Sequence, residues 1–336
     1  MSNKYFIYLI ISTILLFVLA FISFLIQPRY ETFLKTGEII FNNINDNINE
    51  IEEINIDNNK KKILIVKDKD NDNWYMSTKS NYKVRNEVVR KNLIQISELR
   101  FFEKKTSEEF LYSRLDLDYP NDEDGDSKLI TLKNNNNKPL VQFILGKKKK
   151  DGVYLKKIND KQTWLTTGIL EMSKFEKDWL ETKIMDISYE NIKKILINRS
   201  DNDGSFSLTK DEKNENLLID NLNKDQIPKS DLIANFLGYF FTNLVFDDVV
   251  KREENIDNNL SIKINFELKN GSRITGVIFT KNKNKWININ IDGTSIEEIK
   301  KNNKIYVNDV NQWSYMIPST KYSVIDTKLK DLLVEE

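Results

Sequence analysis

Residues 139–168 read PLVQFILGKKKKDGVYLKKINDKQTWLTTG. Apolar and polar residues alternate through the stretch, which is typical of strands that have one buried face. Phe143 and Leu145, for example, share the apolar face. Asp151-Gly152 predicts a tight hairpin turn, because this pair tolerates the positive φ angle that such a turn requires. The stretch therefore predicts an antiparallel meander, with four lysines near the tip of its first hairpin.

The same lysines suggest a phosphate site, because a glycine, Gly146, precedes them. A phosphate-binding loop needs the pattern G-x-x-x-x-G-K-[ST] leading into a helix. Here a strand follows, and no Ser or Thr comes after the last lysine. We interpret the run as a solvated hairpin tip. The alternative is that Lys147, Lys148, Lys149 and Lys150 contact anionic lipid or a partner.

Composition excludes several kinds of site. The 336 residues hold 51 basic and 51 acidic side chains, so no overall field favours nucleic acid. The chain has no cysteine, which excludes disulfides, thiolate catalysis and cysteine metal sites. It has no histidine either, and so lacks the commonest general base and metal ligand. We predict no catalytic residue, no metal site, no cofactor and no nucleic-acid partner.

The N-terminal stretch from Tyr5 to Ile26 is apolar and carries no charge. As a helix of 22 residues it would measure roughly 33 Å, enough to cross a bilayer. A cleaved signal peptide is the alternative, but the residues after Ala20 stay apolar, whereas signal peptides turn polar there. We therefore predict an uncleaved, single-pass membrane anchor over residues 1–35. Lys4 and Arg29 flank the span almost evenly, so charge does not decide its orientation.

Short strands and two helices are predicted after the anchor. Strand-like runs occur at 54–56, 63–66 and 74–76, each bounded by turn-forming residues. A capping box at 106–109 predicts a second, short helix that carries Phe110 and Leu111 inward. The first helix is predicted from an apolar stripe at helical spacing that consists of Val88, Val89, Leu93, Ile96, Leu99 and Phe102.

The order of these elements occurs twice in the chain. The segment ISELRFFEKK (96–105) resembles YFFTNLVFDDVVK (239–251), and residues 130–148 resemble residues 264–283. Leu132-Lys133-Asn134 is matched with Leu268-Lys269-Asn270, and Trp179 with Trp313. A nearly constant offset suggests duplication of one unit, although chance similarity between strands is the alternative. The predicted fold is α+β, with two repeated units of antiparallel sheet packed with helices, at 36–187 and 188–336. We expect residues 190–336 to fold alone.

Three segments resemble one bacterial family. They are NDNWYMSTKSNYKVRNEVVRKNLIQISELRFFEKKTSEEFLYSRLDLDYP (71–120), ILGKKKKDGVYLKKINDKQTWL (144–165) and QWSYMIPSTKYSVIDTKLKDLL (312–333). They are similar to the tryptophan-containing strand, the glycine-tyrosine strands and the C-terminal ending of the DUF4340 family. The resemblance implies one N-terminal anchoring helix. It also implies an accessory role beside ABC-2-type exporters of the gliding-motility kind, and it supplies no catalytic residues.

Other motifs fall short of known sites. The acidic loop 116–126 fails as a calcium loop, because Pro120 and Thr131 occupy its first and last ligand positions. Residues 201–204 fail in the same way. Ser80 and Lys83 match S-x-x-K of penicillin-binding enzymes, and K-T-G occurs at 35–37, but the order is reversed. Trp74, Trp164 and Trp286 are expected in the core.

The sequence therefore predicts a non-catalytic scaffold or auxiliary subunit in the cell envelope. We place it in the inner (cytoplasmic) membrane, with the large C-terminal part in the periplasm and a protein partner in a membrane complex. The alternative is an envelope hydrolase or a carbohydrate-binding protein that uses Asp and Glu residues. Two inward carboxylates about 5–10 Å apart would favour the alternative, and an exposed apolar patch would favour the scaffold.

Overall fold

The structure is a computed structural model, and it describes residues 8, 12–19, 22, 37–120, 125–200, 204–213, 215–256, 261–292, 299, 303–307 and 309–335. The described residues form antiparallel sheets with few helices, so the chain is a mixed α and β protein, as predicted. Among them, no helix is long and apolar enough to cross a membrane. Most of the predicted anchor, from Tyr5 to Ile26, lies outside the described residues.

A sheet of nine strands occupies the first half of the chain. Its order is β4-β3-β2-β1-β6-β7-β8-β9-β5, and the 139–168 meander supplies three adjacent strands, as predicted. The strands are β1 (Ile51–Asp57), β2 (Lys62–Lys67), β3 (Trp74–Met76), β4 (Tyr82–Lys83), β5 (Arg100–Lys104), β6 (Lys128–Asn134), β7 (Pro139–Lys149), β8 (Gly152–Lys157) and β9 (Thr163–Thr167).

Two further sheets follow. Three strands are ordered β14-β10-β19, and eight are ordered β13-β12-β11-β16-β17-β18-β20-β15. The strands are β10 (Lys183–Asp186), β11 (Ile192–Arg199), β12 (Phe206–Lys210), β13 (Leu217–Ile219), β14 (Leu244–Val245), β15 (Asp248–Lys251), β16 (Ile262–Leu268), β17 (Arg273–Lys281), β18 (Asn284–Asp292), β19 (Lys304–Ile305) and β20 (Trp313–Met316).

The α-helices are short, and one of them is the predicted helix with the apolar stripe. Besides the helical residues 12–19, the α-helices of the described part are Asn42–Asn47, Asn86–Glu98, Ser319–Ile325 and Leu329–Leu332. The 3-10 helices are Ile48–Glu50, Ser77–Lys79, Glu109–Leu115, Glu176–Asp178, Tyr189–Asn191, Asn235–Tyr239 and Val310–Gln312.

The helix Asn86–Glu98 buries Val89, Leu93 and Ile96, because spacings of four and three residues place them on one face. Two predictions about neighbouring residues are wrong. Phe102 lies on β5, outside the helix, and is exposed. Phe110 points outward and is 76% exposed.

The residue that faces inward near Phe110 is Tyr112. Its segment forms the 3-10 helix Glu109–Leu115, whose tighter turn directs Tyr112 toward the sheet. The Tyr112 hydroxyl donates to the carbonyl oxygen of Lys161 at 2.6 Å.

The two large sheets share one strand order. Without the edge strand β4, the first sheet has the order β3-β2-β1-β6-β7-β8-β9-β5. Each of these strands then has the same rank along the chain as the strand at the same position in the eight-stranded sheet. Both sheets also have a register shift near the start of the central strand. It falls between Ile51 and Glu53 in β1, and between Ile192 and Lys194 in β11. A bulge at the same place in both sheets makes chance similarity of short strands a poor explanation.

Backbone pairing aligns residues of the two sheets. The amide of Phe101 donates to the carbonyl oxygen of Glu38, and that of Phe246 donates to Thr182. This relationship agrees with the sequence match of 96–105 to 239–251, which sets Leu99-Arg100-Phe101 against Leu244-Val245-Phe246. Leu132 pairs with Ile54 of β1, and Phe266 pairs with Ile195 of β11, so Leu132 corresponds to Phe266. The sequence had matched Leu132 with Leu268, two residues further along the chain.

The same comparison matches Trp313 with Trp164, whereas the sequence suggested Trp179. Trp164 pairs with Lys104 across β9 and β5, and Trp313 pairs with Lys251 across β20 and β15. In both pairs the lysine Nζ lies over the indole ring, at 6.0 Å for Lys104 and 4.1 Å for Lys251.

One hydrophobic core runs through both halves, which we define as residues 37–181 and 182–335. The predicted boundary at 187/188 placed β10 in the first half, but β10 pairs with β14 and β19. Trp74, Trp164 and Trp286 are buried, as predicted.

An ion-pair cluster joins the halves. Lys79 contacts Asp248 at 2.7 Å and Glu176 at 3.2 Å. Burial lowers the pKa of Lys79, but the two carboxylates outweigh that effect and leave the pKa above its ordinary value. Lys79 therefore stays charged at the junction.

Candidate functional site

The lysine hairpin turns at Lys150 and Asp151, because Lys149 pairs with Gly152 across β7 and β8. The predicted Asp151-Gly152 turn is therefore one residue out of place. Lys150 adopts the positive φ, at 36°, whereas Gly152 does not have one.

Gly152 is needed for close packing with β9. A Cβ atom at that position would lie 1.8 Å from the carbonyl oxygen of Thr166. The glycine therefore allows β8 and β9 to approach, and the positive φ belongs to the lysine before it.

Gly146 has a packing role too. A Cβ atom there would lie 2.2 Å from the carbonyl oxygen of Leu115 and 2.9 Å from that of Asp116. The glycine lets the loop after the 3-10 helix Glu109–Leu115 cross over β7. Lys147 then donates to the carbonyl oxygen of Arg114 at 3.2 Å. Gly146 and Lys147, which suggested a phosphate-binding loop, therefore form the contact between β7 and the chain around residues 114–116.

An open pocket of about 470 Å³ lies beside this hairpin. It brings together the lysine run and both ends of the acidic loop, which the sequence analysis had treated separately. The charged residues that line it are Asp116, Asp126, Lys128, Lys147, Lys148 and Glu171.

The carboxylates of the pocket are paired with lysines. Asp116 contacts Lys147 at 3.6 Å, and Asp126 pairs with Lys174. The hydrogen bond from Lys174 lowers the pKa of Asp126 below its ordinary value.

Glu171 and Lys128 complete the charge balance of the pocket. A hydrogen bond from Lys91 lowers the pKa of Glu171. Burial lowers the pKa of Lys128, whose Nζ donates to the carbonyl oxygen of Met172 at 2.9 Å. A glycosidase-type site needs one carboxyl group whose pKa is raised so that it can act as the acid. The pKa values of Asp126 and Glu171 are lowered instead, so these side chains suit ion pairing and not proton donation.

The other sequence motifs do not form a site in the described structure. Ser80 ends the 3-10 helix Ser77–Lys79 with a φ of 55°, and Lys83 lies on β4. Residues 35–36, 121–124 and 201–203, which complete the K-T-G motif and the acidic loops, lie outside the described residues. In the part of the chain that is described, no group of three acidic residues is placed to hold a metal ion.

An exposed apolar patch lies on the second half, and sequence reasoning missed it. Its five side chains are between 37% and 62% exposed. Three of them follow the helical spacing of four and three residues in the segment around the 3-10 helix Asn235–Tyr239, which was the available signal. The apolar patch consists of Ile227, Leu232, Phe236, Tyr239 and Val334.

Several contacts fix the patch in place. Tyr239 stacks on Tyr189 with ring centroids 4.8 Å apart. The amide of Val334 donates to the carbonyl oxygen of Ile227 at 2.8 Å, which holds these two residues side by side. The patch is therefore a supported surface, which favours binding of a preformed partner surface.

Lys321 binds the C-terminal end of the helical segment that carries Phe236 and Tyr239. Its Nζ donates to the carbonyl oxygens of Tyr239 and Phe240 at 3.0 Å and of Thr242 at 2.6 Å. Burial lowers the pKa of Lys321. One lysine thus satisfies three carbonyl groups at the end of a helical turn.

A family model described as domain of unknown function (DUF4340) matches residues 74–261, which is more than half of the chain. The chain belongs to the DUF4340 family. The DUF4340 match runs from the start of β3 to the residue before β16, so it spans the junction between the two large sheets. It includes the lysine hairpin and all of the apolar patch except Val334. No curated protein and no solved structure gives a significant match to this DUF4340 chain.

Proposed function

We propose that this DUF4340 protein is a single-pass, membrane-anchored envelope protein that acts as a non-catalytic scaffold or auxiliary subunit of a membrane complex. The apolar patch of the second half carries the proposal. The class of complex, an ABC-2-type exporter of the gliding-motility kind, comes from the family resemblance. The large C-terminal part would lie in the periplasm.

The N-terminal sequence supports the anchor. The run from Tyr5 to Ile26 has no charge over 22 residues. Residues 12–19, which are described, are helical, and their apolar side chains are exposed, as for Phe17 at 76%. An exposed apolar helix of this kind is stable where lipid or an apolar partner surrounds it.

The apolar patch supports a protein partner. Two of its five members, Phe236 and Tyr239, are aromatic, the residue class that anchors protein interfaces. The ring of Tyr239 stacks on Tyr189, and Lys321 donates to the Tyr239 carbonyl oxygen, so ordering this residue on binding costs little entropy. Exposed apolar side chains on a well-supported surface of a folded domain are typical of interaction sites.

The hydrolase alternative is less well supported. The charged pocket beside the lysine hairpin is its natural location. There Asp126 and Glu171 have lowered pKa values because lysines bond to them. A general acid at neutral pH requires the opposite shift.

We also propose that the two halves arose by duplication of one α+β unit. The common strand order, the bulge in β1 and β11 and the repeated lysine-tryptophan pairs support this origin. Duplication gives a scaffold two related surfaces that can diverge, one toward the anchor and one toward a partner.

The scaffold role is tested by changing the patch. We expect Leu232→Asp/Phe236→Asp in the full chain to abolish co-purification of the transporter permease or ATPase from detergent extracts of native membranes. Charged groups would replace the apolar contact and oppose its desolvation. The matched control is Phe110→Asp, which alters a more exposed aromatic residue on the first half. Recovery of the same partners with the patch variant would contradict the proposal.

Location is tested with a single cysteine, because the chain has none of its own. Lys60 is exposed in the turn between β1 and β2, so Lys60→Cys suits labelling, whereas neighbouring Asn58 is buried. We expect an impermeant thiol reagent to label Lys60→Cys in intact spheroplasts. We also expect the protein to stay in membranes after a carbonate wash. Protection from the reagent would reverse the orientation.

A further inference from the structure

The connections that leave β8 and β18 differ in length. The two strands are counterparts, since they hold the same position in the common strand order. Residues 158–162 join β8 to β9, whereas residues 293–312 join β18 to β20. The longer connection includes β19, which pairs with β10. The shorter connection has no room for a counterpart of β19.

In the second half, β19 adds a strand to the edge of β10. Met185 pairs with Ile305, and the amide of Tyr306 donates to the carbonyl oxygen of Ile184 at 3.0 Å. Ile305 and Val307 are buried in the hydrophobic core, as expected for alternate residues of an extended segment. The segment is therefore held by backbone hydrogen bonds and by two apolar side chains that are two residues apart.

In the first half, residues 37–41 take the place of β10. The backbone alignment of Glu38 with Thr182 sets Ile40 at the position of Ile184, and both isoleucines are buried. Residue 39 forms a bridge to β5, just as β10 pairs with β14 on one side. On its other side, β10 carries β19, so the first half offers the same kind of edge without the added strand.

The segment around Ile40 lines an open pocket of about 480 Å³. We name its lining residues, 40–43, 139–142 and 157–159, the strand site. The strand register makes Lys157 the counterpart of Ile289, close to the end of β18. The strand site therefore lies between the counterparts of the two places that the longer connection joins in the second half.

The side chains of the strand site suit an extended peptide. Its buried members are apolar, namely Ile40, Phe41 and Val141. Its exposed members include four amide side chains, which are Asn42, Asn43, Gln142 and Asn159. Amide groups both donate and accept hydrogen bonds, as the backbone of a peptide does. No carboxylate is among the described residues that line the site, so it is suited to binding and not to acid-base catalysis.

We propose that the strand site receives an extended segment of a partner protein, in the way that β10 receives β19. The bound segment carries two apolar side chains separated by one residue, like Ile305 and Val307. Strand addition of this kind draws affinity from main-chain hydrogen bonds and specificity from pockets for alternate side chains. The strand site shares no residue with the apolar patch, so this inference does not rest on the proposed role of the patch.

Peptide binding to the full-length chain in nanodiscs tests the proposal. The probe is a fluorescent peptide with the sequence of residues 301–309, KNNKIYVND. The matched control peptide carries Ile305→Asp and Val307→Asp. We expect fluorescence anisotropy to show saturable binding of the probe and at least tenfold weaker binding of the control, because burying a carboxylate among apolar side chains is unfavourable. Absence of saturable binding, or equal binding of both peptides, would overturn the proposal.

Blocking the strand site tests where the probe binds. The chain has no cysteine, so Asn43→Cys can be modified with a bulky maleimide after the protein has folded. The matched control is Lys60→Cys, exposed in the turn between β1 and β2. We expect modification of Asn43→Cys to weaken probe binding at least tenfold and modification of Lys60→Cys to leave it unchanged.

Unchanged binding to the modified Asn43→Cys chain would overturn the proposal, because the probe would then bind elsewhere, for example by replacing β19 on β10. The result is separate from the test of the proposed function. Loss of a transporter subunit from Leu232→Asp/Phe236→Asp reports on the apolar patch alone, whereas both peptide experiments leave the patch unaltered.

Discussion

The ring of Tyr82 in the first sheet packs edge-on against the indole of Trp313 in the second, with ring centroids 4.9 Å apart. Tyr82 is 1% exposed and also contacts Phe246 and Tyr315. A side chain from one half thus fills a pocket of the other. Because the core runs through this contact, the halves depend on each other for stability.

Truncation of Tyr82 should destabilise both halves together. We expect Tyr82→Ala to lower the free energy of unfolding by about 3–5 kcal/mol, as when a large buried aromatic ring leaves a cavity. Denaturant titration followed by tryptophan fluorescence and circular dichroism should show one shifted transition. Tyr75→Ala, on partly exposed β3, is the control and should cost much less. A loss similar to that of the control would argue against a shared core.

The fragment 190–336 should not fold cooperatively, contrary to the expectation from the sequence. It lacks β10, the central strand of the three-stranded sheet, and it lacks Tyr82. Its thermal unfolding, measured by circular dichroism beside the full chain, should show no sharp transition. A cooperative transition with native-like spectra would restore the sequence-based view of two independent units.

Alkaline pH should destabilise the protein through its buried tyrosines. Burial raises the pKa of Tyr82 and of Tyr315. The unfolded chain loses its tyrosine protons near pH 10 while the native state keeps them, so the free energy of unfolding falls as pH rises above about 10. Each buried tyrosine contributes a slope of up to about 1.4 kcal/mol per pH unit.

Tyr82→Phe isolates one of these contributions. At neutral pH it should cost about 1 kcal/mol, because the hydroxyl no longer donates to the carbonyl oxygen of Glu181. Above pH 10 its stability should fall less steeply than that of the wild type. Urea titrations at several pH values between 8 and 11 measure both slopes, and parallel curves would contradict the role of Tyr82.

Gly152 should be intolerant of any side chain. We expect Gly152→Ala to cost about 3 kcal/mol, at the upper end for overpacking, because its Cβ would overlap the Thr166 carbonyl oxygen. Asp151→Ala, in the exposed turn, should change stability by less than about 0.5 kcal/mol. Lys150→Gly should be neutral or stabilising, since Lys150 holds the positive φ. Thermal denaturation ranks the three variants, and a harmful Lys150→Gly would indicate the turn that the sequence predicted.

Loss of Lys321 should loosen the segment that bears the apolar patch. Lys321→Met removes the donor to three carbonyl groups and should cost about 2 kcal/mol, as for hydrogen bonds to a charged group. Hydrogen exchange should speed up over residues 235–243 in particular. Lys330→Met, an exposed lysine on the helix Leu329–Leu332, is the control. Unchanged exchange over 235–243 would show that packing alone holds the segment.

Local pattern was enough to predict the strands and the long helix. Alternation placed Phe143 and Leu145 correctly in the core, and the spacing of Val89, Leu93 and Ile96 gave the buried helix face. These features depend on neighbours within a few residues, which periodicity reports directly.

Features set by contacts distant in sequence were missed. Gly146 and Gly152 are explained by the carbonyl groups of Leu115, at the end of a 3-10 helix, and of Thr166, on β9. The match of Trp313 to Trp164 required the strand order. The apolar patch could not be separated from core residues, because Phe236 and Tyr239 read like the buried members of a helix until burial is known.

The pairing of β10 with β19 also bears on how the chain is made. Synthesis runs from the N terminus at about 5–20 residues per second. About 120 residues separate these two strands, so β10 waits roughly 6–24 s for its partner. During that interval a nascent chain exposes an unpaired strand edge, as it does again at β15 until β20 emerges. Ribosome stalling anywhere between these strands would therefore leave a product with open edges, which chaperones and proteases can recognise before the protein is complete.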